Sequence, residues 1–335
     1  MEQPLDRNLA LELVRATEAA AMAAARWMGR GDKNAVDGAA VDAMRHVLQS
    51  VDMDGTVVIG EGEKDEAPML YIGEQIGNGA PIAVDVAVDP VDGTTLTANG
   101  LPGAISVVAV AERHSLFYTH VPYMDKIVVG PRARGVIDIS ASVADNINAV
   151  ARAYNREPND LTVVILNRPR HEGLIKEVRQ AGARIRLISD GDVMAGLMAL
   201  MEDYTGIDML MGVGGAPEGV ITACTVCCLG GDMQARMWPR DDGDRDMAER
   251  EGLDLNRVLT LDDLCKGQNV FVSATGVTDG ELLKGVRYTS LGSETESLVM
   301  RSASGTMRRI AAQHNFGRLS KLAGARYEEV AAATR

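Results

Sequence analysis

The run Leu161-Thr162-Val163-Val164-Ile165-Leu166 reads as a buried strand, and the pattern downstream of it decides the fold. Residues 172–181 carry a helical pattern, 184–188 a second strand, 193–201 a second helix and 207–211 a third strand, with Pro217 opening another helix. Parallel strands cannot be joined by a tight hairpin, so strands and helices alternating at this spacing signal parallel βαβ units. Upstream the rhythm differs. Over residues 9–28, Leu9, Leu13, Ala16, Ala20, Ala23, Ala24 and Trp27 make one apolar helical face, which stops at Gly29. A second helix is predicted over 38–49, and strands over 56–59, 82–88, 105–110, 127–129 and 136–139. The first half is therefore a mixture of helices with an at least partly antiparallel sheet. Residues 141–158 read as a helix and loop between the two patterns, which predicts an N-terminal lobe over 1–150 and a C-terminal lobe over 151–335. The last twenty or so residues, rich in Ala and Arg, read as a terminal helix or a frayed tail.

The chain has 335 residues, enough for one large domain or two joined lobes around a substantial core. Aromatic residues make up only 4%, so that core is built from Ala, Val, Leu, Ile and Met. A net charge of −13 argues against nucleic-acid and anionic-membrane partners, which need clustered Lys and Arg. No apolar run has the length of a membrane span, and no signal-peptide pattern is visible. Three of the four cysteines crowd at Cys224, Cys227 and Cys228, a spacing unable to organise a disulfide framework. The expected setting is a reducing cytoplasm. Cys224 and Cys227 lack the second Cys or His pair that zinc would need, so they read as small buried hydrophobes.

The chemistry is carried by acids beside glycines at the ends of apolar runs. Asp89-Pro90-Val91-Asp92-Gly93-Thr94-Thr95 comes directly after Val84-Asp85-Val86-Ala87-Val88. Asp89 is expected at a strand end, with Pro90 forcing a turn that lets Asp92 swing back towards it. Two carboxylates so close repel unless cations lie between them. Gly93 permits close backbone approach, and the amides of Thr94 and Thr95 suit a phosphate. Glu61 in Gly60-Glu61-Gly62-Glu63, Asp37 ahead of a helix and Glu218 in Gly214-Gly215-Ala216-Pro217-Glu218-Gly219 occupy similar places. Asp37 also suits a helix N-cap, a role compatible with metal binding. Oxygen-only donors select hard cations such as Mg²⁺ or Mn²⁺, which would also let so acidic a protein accept an anionic substrate.

These segments, in order with Gly29-Arg30-Gly31-Asp32-Lys33-Asn34, Val58-Ile59-Gly60-Glu61-Gly62-Glu63, Arg168-Pro169-Arg170-His171 and Asp190-Gly191-Asp192, resemble the class II fructose-1,6-bisphosphatases of bacteria. That family lies within the sugar phosphatase and inositol monophosphatase superfamily. The resemblance covers roughly residues 8–315. It implies a layered αβαβα fold, with a mixed sheet in the N-terminal lobe, a more parallel one in the C-terminal lobe and the active site between them. It also implies two or more Mn²⁺ or Mg²⁺ ions, with Asp37 and Glu61 on one and Asp89, Asp92 and Glu218 on the other. Some members carry Glu where this chain has Asp92. Thr94, with Asp37, would activate water. Asp92, Gly93, Thr94, Tyr123, Arg168, Pro169, Arg170, Asp190, Gly191, Asp192 and Gly215 would line the substrate site.

The arginines suit phosphate oxygens and are expected on the 6-phosphate, although a surface loop would use the same residues. Asp190 and Asp192 suit sugar hydroxyls or a helix cap, and Tyr123 a substrate contact or the core. His171 is left without a catalytic part. The implied activity is hydrolysis of the 1-phosphate of fructose 1,6-bisphosphate in cytoplasmic gluconeogenesis, by a homodimer or homotetramer. The alternatives are a dual fructose-1,6-/sedoheptulose-1,7-bisphosphatase and a non-catalytic sugar-phosphate sensor. A nucleotide site at Gly212-Val213-Gly214-Gly215 is disfavoured, because Pro217 and Glu218 stand where a pyrophosphate would sit.

Overall fold

The computed structural model describes residues 9–61 and 70–323; Gly62, Glu63 and the tail after Ala323 lie outside the described residues. The chain begins with α1 (Leu9–Ala25), α2 (Lys33–Leu48), β1 (Asp54–Ile59), β2 (Gln75–Ile76), β3 (Ala83–Asp92), α3 (Thr94–Asn99), β4 (Ile105–Glu112) and β5 (Tyr123–Val129). It continues through α4 (Val143–Tyr154), β6 (Thr162–Leu166), α5 (Glu172–Gln180), β7 (Arg184–Ile188), α6 (Asp192–Leu200), α7 (Glu202–Thr205), β8 (Met209–Gly215) and α8 (Ala216–Leu229). The remaining elements are β9 (Asp232–Met237), α9 (Asp242–Arg250), β10 (Leu259–Thr260), α10 (Leu261–Leu264), β11 (Phe271–Gly276), β12 (Arg287–Tyr288), β13 (Gly292–Arg301), β14 (Thr306–Asn315) and α11 (Phe316–Ala323).

Two mixed sheets result. The first runs β12-β13-β11-β4-β3-β1-β2, with β14 also on β13; the second runs β10-β9-β5-β8-β6-β7. The predicted βαβ units are present, since β6 is parallel to both β7 and β8. The sheets do not follow a division at residue 150. Strand β5 belongs to the second sheet, and β11, β12, β13 and β14 return to the first.

Strand parity sets the layers. Along β3 and β4, Val84, Val86, Val88, Val108 and Val110 pack on one side with Leu13, Ala20 and Met44 of α1 and α2. Ala87, Val107 and Ala109, on the opposite parity, pack with Leu197, Val220 and Cys224 of α6 and α8. Those two helices also cover the inner face of the second sheet through Met124, Val128 and Leu210. The outer face, with Ile127, Val129, Val163 and Met209, is closed by Ile147 and Val150 of α4. The order is helix, sheet, helix, sheet, helix, which is the αβαβα layering expected.

Three local expectations change. The side chain of Asp32, accepting from Ala35 N at 3.0 Å, caps α2, so Asp37 lies inside the helix and not at its start. β3 does not end at Asp89: it continues through Pro90 to Asp92, with an irregular register against β4. Proline is tolerated because the ladder is interrupted there. Residues 136–139 form no strand. Their backbone is instead satisfied by two side chains: Gln234 accepts from Ile139 N at 2.8 Å and donates to Ile137 O at 3.0 Å, and Asn146 accepts from Asp138 N at 2.8 Å and donates to Asp138 O at 2.7 Å.

Candidate active site

β1 and β3 run parallel, with Ile59 opposite Ala87, so Glu61 and Asp89, each two residues further on, lie towards the same end of the two strands. At the irregular stretch of β3, Asp89 Oδ1 accepts from Val91 N at 3.1 Å. Asp92 Oδ2 accepts from Met194 N at 2.9 Å, tying the strand to the first turn of α6. Gly93 comes next at φ 97°, a conformation that frees the chain to turn into α3. There the Thr94 hydroxyl donates to Asp37 Oδ1 at 2.7 Å, joining α3 to α2. Thr95 N donates to Asp190 Oδ2 at 3.2 Å, joining α3 to the loop before α6. Glu218 lies in the first turn of α8. Five elements thus bring their acids to one region.

The electrostatics record the crowding. Burial, with Asp37 and Glu218 nearby, pushes the Glu61 carboxyl up to about 7. Burial also drives Asp92 up to about 8, the Met194 N–H opposing and Asp192, Glu218 and Asp190 adding to the rise. Asp89 is raised well above its ordinary value by burial and then by Asp92, Glu218 and Glu61. Glu218 is raised by burial, with Lys126 opposing. Asp37 is raised by burial, with the Thr94 hydroxyl and Lys33 opposing. Protons or cations must neutralise such a set. Among the described residues no three His, Cys, Asp or Glu side chains converge closely enough to hold an ion as placed. Asp92 is engaged with Met194 and Glu218 lies over Gly215, where an added Cβ would fall 1.8 Å from Glu218 Oε2. The oxygen-only donors and their excess negative charge fit hard divalent cations.

The substrate candidates gather on the second sheet beside these acids. Tyr123 and Gly215 are paired residues of β5 and β8. The Arg170 guanidinium lies 5.1 Å from the Tyr123 ring centroid and donates to Val213 O at 2.9 and 3.3 Å. Arg168 and Pro169 begin the same tight turn, Arg168 half-buried and Pro169 exposed. Gly191, at φ 89°, leads from Asp190 to Asp192 at the start of α6. His171 is structural: Nδ1 donates to Leu166 O at 2.6 Å and Nε2 accepts from Val213 N at 2.8 Å, so both ring nitrogens are used.

Sequence reasoning passed over three neighbours. Arg240 stands 5.3 Å from the Tyr123 ring centroid, and Trp238 meets that ring edge-on at 6.4 Å. Lys126 is fully buried and paired with Asp192. Its signal was available, because a Lys at a core-facing position of Tyr123-Met124-Asp125-Lys126-Ile127-Val128-Val129 breaks an apolar pattern.

A layered α/β fold that sets an oxygen-only acid cluster beside guanidinium groups defines a class, the metal-dependent phosphatases. Residues 7–314 match the family described as bacterial fructose-1,6-bisphosphatase, glpX-encoded, and the chain belongs to that family. It is 46% identical over 325 residues to the Escherichia coli K12 protein named fructose-1,6-bisphosphatase 1 class 2, covering 93% of this chain and 96% of that one. Proteins of Escherichia coli O6:H1 and Shigella flexneri named fructose-1,6-bisphosphatase class 2 match with the same identity and coverage.

Proposed function

We propose that the protein hydrolyses the 1-phosphate of fructose 1,6-bisphosphate, giving fructose 6-phosphate and inorganic phosphate. The observation that carries this reading is the 2.7 Å bond from Thr94 to Asp37 within a crowd of raised carboxylates, in a chain of this family. Asp37 and Glu61 would hold one divalent ion, and Asp89, Asp92 and Glu218 a second, Mn²⁺ or Mg²⁺. Bound there, the ions would supply Lewis acidity towards the phosphoryl oxygens and lower the pKa of water. The residues of the chain do the rest. The Thr94 hydroxyl orients the attacking water and passes its proton towards Asp37 Oδ1. The backbone at Asp92, Gly93 and Thr94, with Gly215, borders the cleaved phosphate. Arg168, Pro169 and Arg170 with Tyr123 hold the 6-phosphate, since guanidinium forks match phosphate oxygens. Asp190, Gly191 and Asp192 receive the sugar hydroxyls. The first sheet and the residue just past β1 would thus supply Asp89, Asp92 and Glu61, and the strands of the second sheet with the turns that follow them most of the substrate contacts.

No helix of the described residues is long and apolar enough to cross a membrane. We place the enzyme in cytoplasmic gluconeogenesis as a homo-oligomer, a dimer or tetramer. The test is phosphate release from fructose 1,6-bisphosphate by metal-stripped protein with and without added Mn²⁺ or Mg²⁺. Release only with metal, leaving fructose 6-phosphate, is expected. No release with either ion refutes the proposal. Sedoheptulose 1,7-bisphosphate in parallel measures how strict the site is.

A further inference from the structure

We propose that Lys126 is a positioning residue for this reaction: it holds Asp192 in place for the sugar and ties it to the strand–helix junction that carries Glu218. The inference rests on the bisphosphatase reading of the site.

Lys126 is 1% exposed and lies on β5 between Met124 and Val128, on the face turned towards α6 and α8. It makes an ion pair with Asp192 Oδ2 and donates from Nζ to Gly215 O at 3.1 Å. One ammonium therefore joins the first residue of α6 to the last residue of β8. Gly214 makes room for this. A Cβ there would fall 1.9 Å from Asp192 Oδ2 and 2.9 Å from Lys126 Nζ. Burying an amine in an aliphatic layer is costly, and an apolar side chain of similar size would pack the same space. The electrostatic neighbours give the amine a task. Asp192 lies close enough to Asp92 and Glu218 to repel both. Without Lys126 the Asp192 carboxylate would turn away from them, and from the sugar. Lys126 has no exposed path of its own to the substrate, so it acts through Asp192.

The test compares Lys126→Met, Asp192→Asn and the double variant as Mn²⁺-loaded enzymes, with Mn²⁺ binding also measured directly by the resonance of the free ion. Lys126→Met should raise KM for the bisphosphate roughly tenfold, as expected for a lost charged contact, with a smaller change in kcat. Its Mn²⁺ dissociation constant should stay within about twofold of wild type or tighten, because one positive charge beside the acids is gone. A general loss of structure would weaken Mn²⁺ binding instead. In the Asp192→Asn background, Lys126→Met should change KM less than about twofold, since the two act as a unit. The double variant buries no unpaired charge, so it serves even where Lys126→Met fails to fold. An unchanged KM in folded Lys126→Met, weakened Mn²⁺ binding, or the same fold-increase in both backgrounds overturns the inference. Absence of turnover by the wild-type enzyme overturns the functional reading instead.

Discussion

Replacing Glu61 by Gln should stabilise the protein at pH 8 when metal is stripped away and destabilise it when metal is added. The Glu61 carboxyl is raised from 4.5 to about 7 by burial, and then by Asp37 and Glu218. An unfolded chain releases that proton near 4.5, whereas the folded protein keeps it until about 7. The folded state thus binds more protons across this window, and stability falls as pH rises through it. A difference of about 2.5 units at 1.36 kcal/mol each gives a loss of about 3 kcal/mol, complete above pH 7. Gln keeps the shape and cannot ionise, so Glu61→Gln escapes the loss. Its stability relative to wild type should rise by about 3 kcal/mol between pH 4.5 and pH 8 in the presence of chelator. Metal reverses the order, because a divalent ion needs the carboxylate. At a thousand times its dissociation constant, one ion stabilises the folded state by about 4.1 kcal/mol, and a variant unable to hold that ion loses all of it, more than the roughly 3 kcal/mol it gained. Urea unfolding of both proteins at several pH values, with chelator or with Mn²⁺, reads these differences. A stability gap that stays constant with pH, or that Mn²⁺ does not reverse, refutes the reasoning.

Three further outcomes are expected. Gly215→Ala places a Cβ 1.8 Å from Glu218 Oε2, so Glu218 must move; Mn²⁺ affinity should fall at least about tenfold with far-ultraviolet circular dichroism unchanged, as for a displaced metal ligand. Thr94→Val removes the hydroxyl that donates to Asp37 and should lower kcat by roughly a hundredfold, while Thr94→Ser restores most of it; a Val variant with wild-type kcat would remove Thr94 from proton transfer. Arg170→Ala should raise KM for the bisphosphate roughly tenfold with little change in kcat. Fructose 1-phosphate, which lacks the distal phosphate, should show no such effect, and an equal effect on both substrates would take Arg170 away from the 6-phosphate.

The sequence by itself determined most of the local elements and singled out the acids of the candidate site. The 161–211 alternation specified β6, α5, β7, α6 and β8 because strand and helix periodicities are short-range properties of the chain. The acids at Glu61, Asp89, Asp92 and Glu218 stood out because carboxylates beside glycine at the ends of apolar runs have few structural uses. Where partners are distant along the chain, local pattern was silent or misleading. Residues 136–139 look like a strand, but Gln234, almost a hundred positions later, takes the backbone bonds of Ile137 O and Ile139 N. Asp37 read as preceding a helix until Asp32 proved to be the cap, which leaves Asp37 free to accept from Thr94.

Only the tertiary structure decided which strands share a sheet. It moved β5 into the second sheet and returned β11, β12, β13 and β14 to the first, since strand pairing is settled by burial of both faces and not by order in the chain. It alone supplied the partner of Lys126. Nothing local to Tyr123-Met124-Asp125-Lys126 reveals an aspartate sixty-six positions on, yet a charge in a dry aliphatic layer persists only with an opposite one against it.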